Sequence, residues 1–164
     1  MNQLFGVVLI SAALMAGCAA PGEDSAKKGA TSAPTAATSA VAPNGRMTVG
    51  DLLAKGGKQL TVAEAKELFT GATMGGDSPR ATWRTKLGAD GKFSGQASLN
   101  AGGTRNFFGD WWVDDKGRNC SVDRSRSNTG PDCMYYFTLG GKYYASVTDS
   151  SNPNAALADR FISK

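Results

Sequence analysis

The spacing of apolar positions changes three times along this 164-residue chain. Residues 4–16 form an apolar run broken only by Gly6 and Ser11. From Ala19 to Asn44 the chain is built mainly of Ala, Ser, Thr, Pro and Gly, with no aromatic residue and no apolar period. Such a segment buries too little surface to offset its ordering entropy, so a disordered tether is expected there. Helical spacing follows. In "TVGDLLAKGG", Thr48 and Asp51 have the spacing of a capped helix start that Gly56-Gly57 would end. In "TVAEAKELFTG", Thr61 and Glu64 form a capping box, Val62, Ala65, Leu68 and Phe69 make an apolar stripe, and Gly71 supplies the closing residue.

Beyond Gly71 the period becomes two. Ala81, Trp83, Thr85 and Leu87 alternate with Thr82, Arg84 and Lys86, and "ADGK" is a hairpin signal. Phe93, Gly95, Ala97 and Leu99 share one face of the next strand. In "NFFGDWWVD", Phe107, Trp111 and Val113 fall on one face, and Phe108, Asp110 and Trp112 on the other. "NCSVDRS", "CMYYFTL" and "KYYASVT" complete the strands, with "NTGPD" and Gly140-Gly141 as breaks. "PNAALADRFISK" is expected to form a short helix with Pro153 in its first turn. The fold class predicted is mainly β: a small antiparallel lipocalin-like β-barrel or sandwich with short N-terminal helices and a disordered tether.

The apolar run is shorter than the roughly 20 residues a membrane-spanning helix needs. It has the length of a signal-peptide core, and Ala16 and Gly17 lead directly into Cys18. Leu14-Met15-Ala16-Gly17-Cys18 resembles the lipobox of a bacterial lipoprotein, with Met15 where leucine is usual. The resemblance implies cleavage before Cys18 and acylation of that residue. It divides the chain into a signal peptide (1–17), a lipidated Cys18 with its tether (18–45) and one β-barrel-like domain (46–164). Ala19 after the cysteine implies the cell outer membrane by lipoprotein sorting rules.

An exported chain meets an oxidising compartment, so Cys120 and Cys133 are expected to pair. With Cys18 taken by lipid, an even pair remains for one bridge. A redox dithiol would call for Cys-x-x-Cys spacing. The chain has no histidine, and two thiols alone do not close a zinc site.

From 60–71, through Gly109, Trp111 and Val113, to Cys120 and Cys133 before an aromatic strand, the chain resembles a family of small exported Gram-negative envelope proteins of unknown function. That resemblance implies the fold and the bridge and carries no activity.

Charge adds one choice. The chain has 18 Lys and Arg against 14 Asp and Glu, a formal +4, with basic residues denser between Arg80 and Arg126. A solvated positive face accounts for this, and contact with anionic headgroups or an acidic partner is the sharper reading. No nucleic-acid partner is expected. Neither is an enzyme, a metal or a cofactor: the commonest general base is missing, Asp114-Asp115 reads as a turn and Glu64 as a cap.

The aromatic pair Phe108 and Trp112 is the candidate binding patch, unless the helices cover that face. The function expected is a lipid-anchored, non-enzymatic binding or accessory module of the envelope, with an envelope protein as candidate partner. Two alternatives are an inhibitor of a secreted hydrolase, which would present a protruding loop at 125–132, and a carrier of a small apolar ligand, which would contain a large internal cavity.

Overall fold

The computed structural model describes residues 45–127 and 130–164. The expected signal peptide, Cys18 and all but the last residue of the expected tether lie outside the described residues.

The two helices among the described residues form where the capping boxes lie. Helix α1 (Val49–Ala54) is capped by Thr48, whose hydroxyl accepts from the Asp51 amide, while the Asp51 carboxylate accepts from the Thr48 amide. Helix α2 (Val62–Phe69) repeats the arrangement with Thr61 and Glu64. Gly71 follows α2 at φ 75°, a left-handed conformation that costs glycine little.

Two-residue strand β1 (Lys58–Gln59) lies between the helices. Eight longer strands follow: β2 (Thr73–Asp77), β3 (Ala81–Leu87), β4 (Lys92–Leu99), β5 (Thr104–Val113), β6 (Asn119–Asp123), β7 (Asp132–Leu139), β8 (Lys142–Ser146) and β9 (Ala158–Ser163). From β2 to β9 each strand pairs antiparallel with the next, and β9 returns to pair with β2 through Met74↔Ile162 and Gly75↔Phe161. The meander is therefore a closed eight-stranded barrel rather than a sandwich. Strand β1 adds to β7 beyond the point where β6 ends, with Gln59 opposite Phe137.

Alternation decides what fills the barrel. Leu87, Phe93, Trp111, Met74, Tyr136 and Ala145 point inward and cluster with Leu60, Ala65 and Phe69. Helix α2 thus plugs one end, its Phe69 ring meeting Tyr136 edge-on at 4.7 Å between centroids. The Trp111 indole N–H donates to the Gly88 carbonyl at 2.9 Å, which satisfies its polar atom at the plugged end. Helix α1 packs on the outside. Val49 and Leu52 cover Phe137 and Tyr144, and Leu157 completes this second cluster. The Val49 and Gly50 amides donate to the Ala155 and Pro153 carbonyls, so α1 is strapped to the segment that leads into β9.

The segment expected to be a C-terminal helix is β9 instead. Its exposure alternates along Ala158–Ser163, and Ile162 packs against the inner cluster. A helix there would leave two sheet edges unpaired, on β2 and on β8, so tertiary pairing overrides the local alanine-rich preference. Strand β2 was not anticipated either, because "TMGGD" has the composition of a turn.

Cys120 and Cys133 face each other across β6 and β7 and form the expected disulfide. It closes the connection between these strands with a sequence separation of 13. Reduction, or the Cys120→Ser/Cys133→Ser double variant, is expected to lower unfolding free energy by roughly 3 kcal/mol, as the chain-entropy model gives for a loop of about 15 residues. Denaturant unfolding of oxidised and reduced protein checks this; equal midpoints would show that the bridge constrains nothing.

Candidate functional site

The plug fills only one end of the barrel. Toward the other end the interior opens into a cavity of about 680 Å³, whose lining reaches Ser78 and Arg80 after β2, Leu99 at the end of β4, and Arg126 and Gly130 after β6. That volume lies within the range of ligand pockets.

Its floor is apolar: Met74, Leu87, Phe93, Phe107 and Met134, with Trp83 and Ala97 on the walls. Polar groups stand among them. Arg105 lies on the same inward face of β5 as Phe107, its guanidinium 5.7 Å from that ring and its Nη2 donating to Asp123 at 2.9 Å. Arg126 reaches the same carboxylate at 3.7 Å. From β9, the Arg160 guanidinium lies 5.5 Å from the Trp83 ring and its Nη1 donates to the Asp159 carbonyl at 2.7 Å. Asn119 is 8% exposed on β6 and also lines the cavity.

Tyr136 stands between the plug and this polar set. Burial pushes its hydroxyl up to about 12, against the opposing hydrogen bond and charge of Arg160. The neutral phenol is therefore what the fold stabilises.

The anticipated patch is on the outside. Phe108 is 56% and Trp112 40% exposed, so neither helix covers them. Between them on the same face is Asp110, bonded by Lys92 and, at 2.8 Å, by Arg124. Hydrogen bonds from Lys92 and then Arg124 hold the Asp110 carboxyl below its ordinary value. The patch is two aromatic rings flanking an ion-paired group. Cys120 sits opposite Trp112 on the neighbouring strand, but its sulfur is in the bridge and offers no thiol. Cys18 lies outside the described residues.

The cavity brings together residues that sequence reasoning did not single out: Arg105, Asn119, Tyr136 and Arg160. Three had a readable signal. Arg105 shares the alternation of Phe107 and Trp111, which places an arginine on an apolar inward face. Asn119 and Tyr136 sit on recognised strands. Arg160 had none, because its segment read as helix. Asp114 and Glu64 are the turn and cap groups expected. Burial pushes the Asp114 carboxyl up, but hydrogen bonds from the Arg118 backbone and side chain and from the Lys116 amide outweigh this and hold it low. Glu64 is held down at about 2 by Lys58 and the Thr61 cap. Among the described residues no three Cys, Asp or Glu side chains converge as a metal site requires.

The geometry defines an eight-stranded up-and-down antiparallel barrel, plugged at one end and hollow toward the other. No protein-family model, curated protein or solved structure matches the chain.

Tyr136 supplies a pH test. Its folded value of about 12 lies above the ordinary value of 10.0, so its contribution is full below pH 10 and is lost as pH rises through 12. The unfolding free energy of wild type relative to Tyr136→Phe is expected to stay level up to about pH 9 and then fall by up to about 3 kcal/mol, mostly between pH 10 and 12. Denaturant titrations across that range check it; a difference that stays flat to pH 12 would mean that the phenol is not buried as described.

Proposed function

We propose that this protein is a non-enzymatic binding module of the bacterial envelope, anchored to the outer membrane through acylated Cys18, whose ligand occupies the barrel interior. The observation that carries the reading is the cavity of about 680 Å³ inside a closed barrel. Ligand pockets typically enclose about 300–1,000 Å³, and this one falls in that range. The largely apolar floor suits a ligand with an apolar body. Of the functions weighed from sequence, the cavity favours the carrier. The inhibitor reading drew on a loop at 125–132, of which residues 128 and 129 lie outside the described residues.

The exposed pair Phe108 and Trp112 supports a second role, as the face that meets a protein partner while the cavity holds its ligand.

Two experiments test the proposal. Cys18→Ser is expected to abolish palmitate labelling; labelling that persists in this variant would contradict the anchor. An environment-sensitive apolar fluorophore such as N-phenylnaphthylamine is expected to bind the Cys18→Ser protein at one site per chain and to take energy from Trp83 in the cavity wall. Trp83→Phe is expected to reduce that transfer more than Trp112→Ala does, with Trp111 at the inner end of the barrel supplying the remainder. Transfer that depends on Trp112 would relocate the site to the outer face.

A further inference from the structure

The cavity holds more hydrogen-bond donors than its walls satisfy. Among the described residues, three buried side-chain atoms have no partner: Arg105 Nε, Asn119 Nδ2 and Arg160 Nε. All three belong to residues that line this one cavity, and all three are donors. Orphaned donors scattered over a protein would mean little. Three on residues that line a single ligand-sized space mark walls rich in donors. A buried donor without an acceptor destabilises the fold, so the arrangement is relieved when an acceptor-rich group enters.

Charge points the same way. The lining carries four guanidinium groups, from Arg80, Arg105, Arg126 and Arg160, against the carboxylates of Asp123 and Asp132. Arg105 and Arg126 share Asp123. Among the described residues Arg160 forms no ion pair with a carboxylate; its neighbours are the Trp83 ring, the Asp159 carbonyl and the Tyr136 hydroxyl. Its position is also built into the backbone. A Cβ on Gly76 would lie 2.9 Å from Arg160 Nη1 and 3.2 Å from its Cδ, so the arginine stem lies over a glycine that leaves it room. The guanidinium is thereby placed on the cavity lining, where its fork of donors suits a planar oxyanion.

We infer that the ligand is an amphipathic anion: an apolar body seated on the floor of Met74, Leu87 and Phe93, and a carboxylate- or phosphate-type head bound by Arg160, Arg105 and Asn119. The inference rests on the reading of the barrel interior as the binding site, and adds the chemistry of the ligand's polar end. Arg160 is the residue on which recognition of the head depends most.

Calorimetric titration of the Cys18→Ser protein with decanoate, decyl phosphate, decanol and acetate separates the two claims. Decanoate or decyl phosphate is expected to bind at least about tenfold tighter than decanol, the least a charge-assisted hydrogen bond contributes. Whichever of the two binds tighter identifies the head group. Acetate is expected to bind at least about a hundredfold more weakly than decanoate, since it lacks the apolar contact. Raising salt is expected to shrink the preference over decanol.

Arg160→Gln is expected to erase that preference. Gly76→Ala, which retains every charge, is expected to reduce the preference by displacing Arg160. The wild-type comparison of decanoate with decanol needs no variant to fold. Decanol binding as tightly as decanoate would overturn the anionic head while leaving the cavity reading in place. Acetate matching decanoate would overturn the amphipathic ligand, leaving a site for a free anion. Failure of all four probes to bind would overturn the cavity reading as well.

Discussion

The fold depends on one seam. An eight-strand meander has two free edges until its last strand finds its first, and here β9 must lie against β2. The neighbouring glycines Gly75 and Gly76 make that approach feasible. On the outer face, a Cβ at Gly75 would lie 2.2 Å from the Phe161 ring and 2.4 Å from the Trp83 carbonyl, so any side chain there would push Phe161 off the strand. With glycine present, Phe161 covers the seam from outside and the Arg84 guanidinium covers the ring at 4.8 Å. On the inner face, Gly76 gives the same room to Arg160. A pair that reads as a turn is therefore the place where two side chains, one on each face, lock the barrel shut.

The hollow interior follows from closure together with residue size. Large inward side chains gather at the end where α2 enters, and Phe69, Trp111, Phe93 and Tyr136 fill it. Farther along, the inward positions include Ala97 and Ala81, which fill little volume. Polar residues stand on the same lining: Arg105, Asn119 and Arg160. A barrel needs a packed core for stability but only at one end, and the well-packed plug leaves the other end available for a ligand. The inner cluster and the outer α1 cluster are separate, so α1 stabilises the β7–β8 side without entering the cavity.

Much of this architecture was legible in the sequence. The capping boxes at Thr48 and Thr61, the period-two stretches from Ala81 to Val113 and the cysteine pair each encode a local structure whose cause is a few neighbouring residues. The opposite faces assigned to Trp111 and Trp112 agree with the structure, where one is 8% and the other 40% exposed. The unread parts share a cause. Strand β2 is stabilised by partners at the far end of the chain, and β9 by partners near its start. Neither has a local signature, because Gly75-Gly76 is specified by Phe161 and Arg160, and no window of neighbouring residues contains both sides of that contact. The cavity donors were hidden for the same reason: Arg105 was visible as an inward arginine, but that it shares a space with Asn119 and Arg160 is a property of the closed barrel.

Amide hydrogen exchange along β9 tests the closed barrel most directly, because a final strand frays unless both its edges are paired. If the seam is as described, the amides of Ala158–Ser163 exchange as slowly as those of the central strand β4. Exchange in β9 and β2 orders of magnitude faster than in β4 would mean an open sheet, with no enclosed cavity and no framework to hold Arg160 inside it.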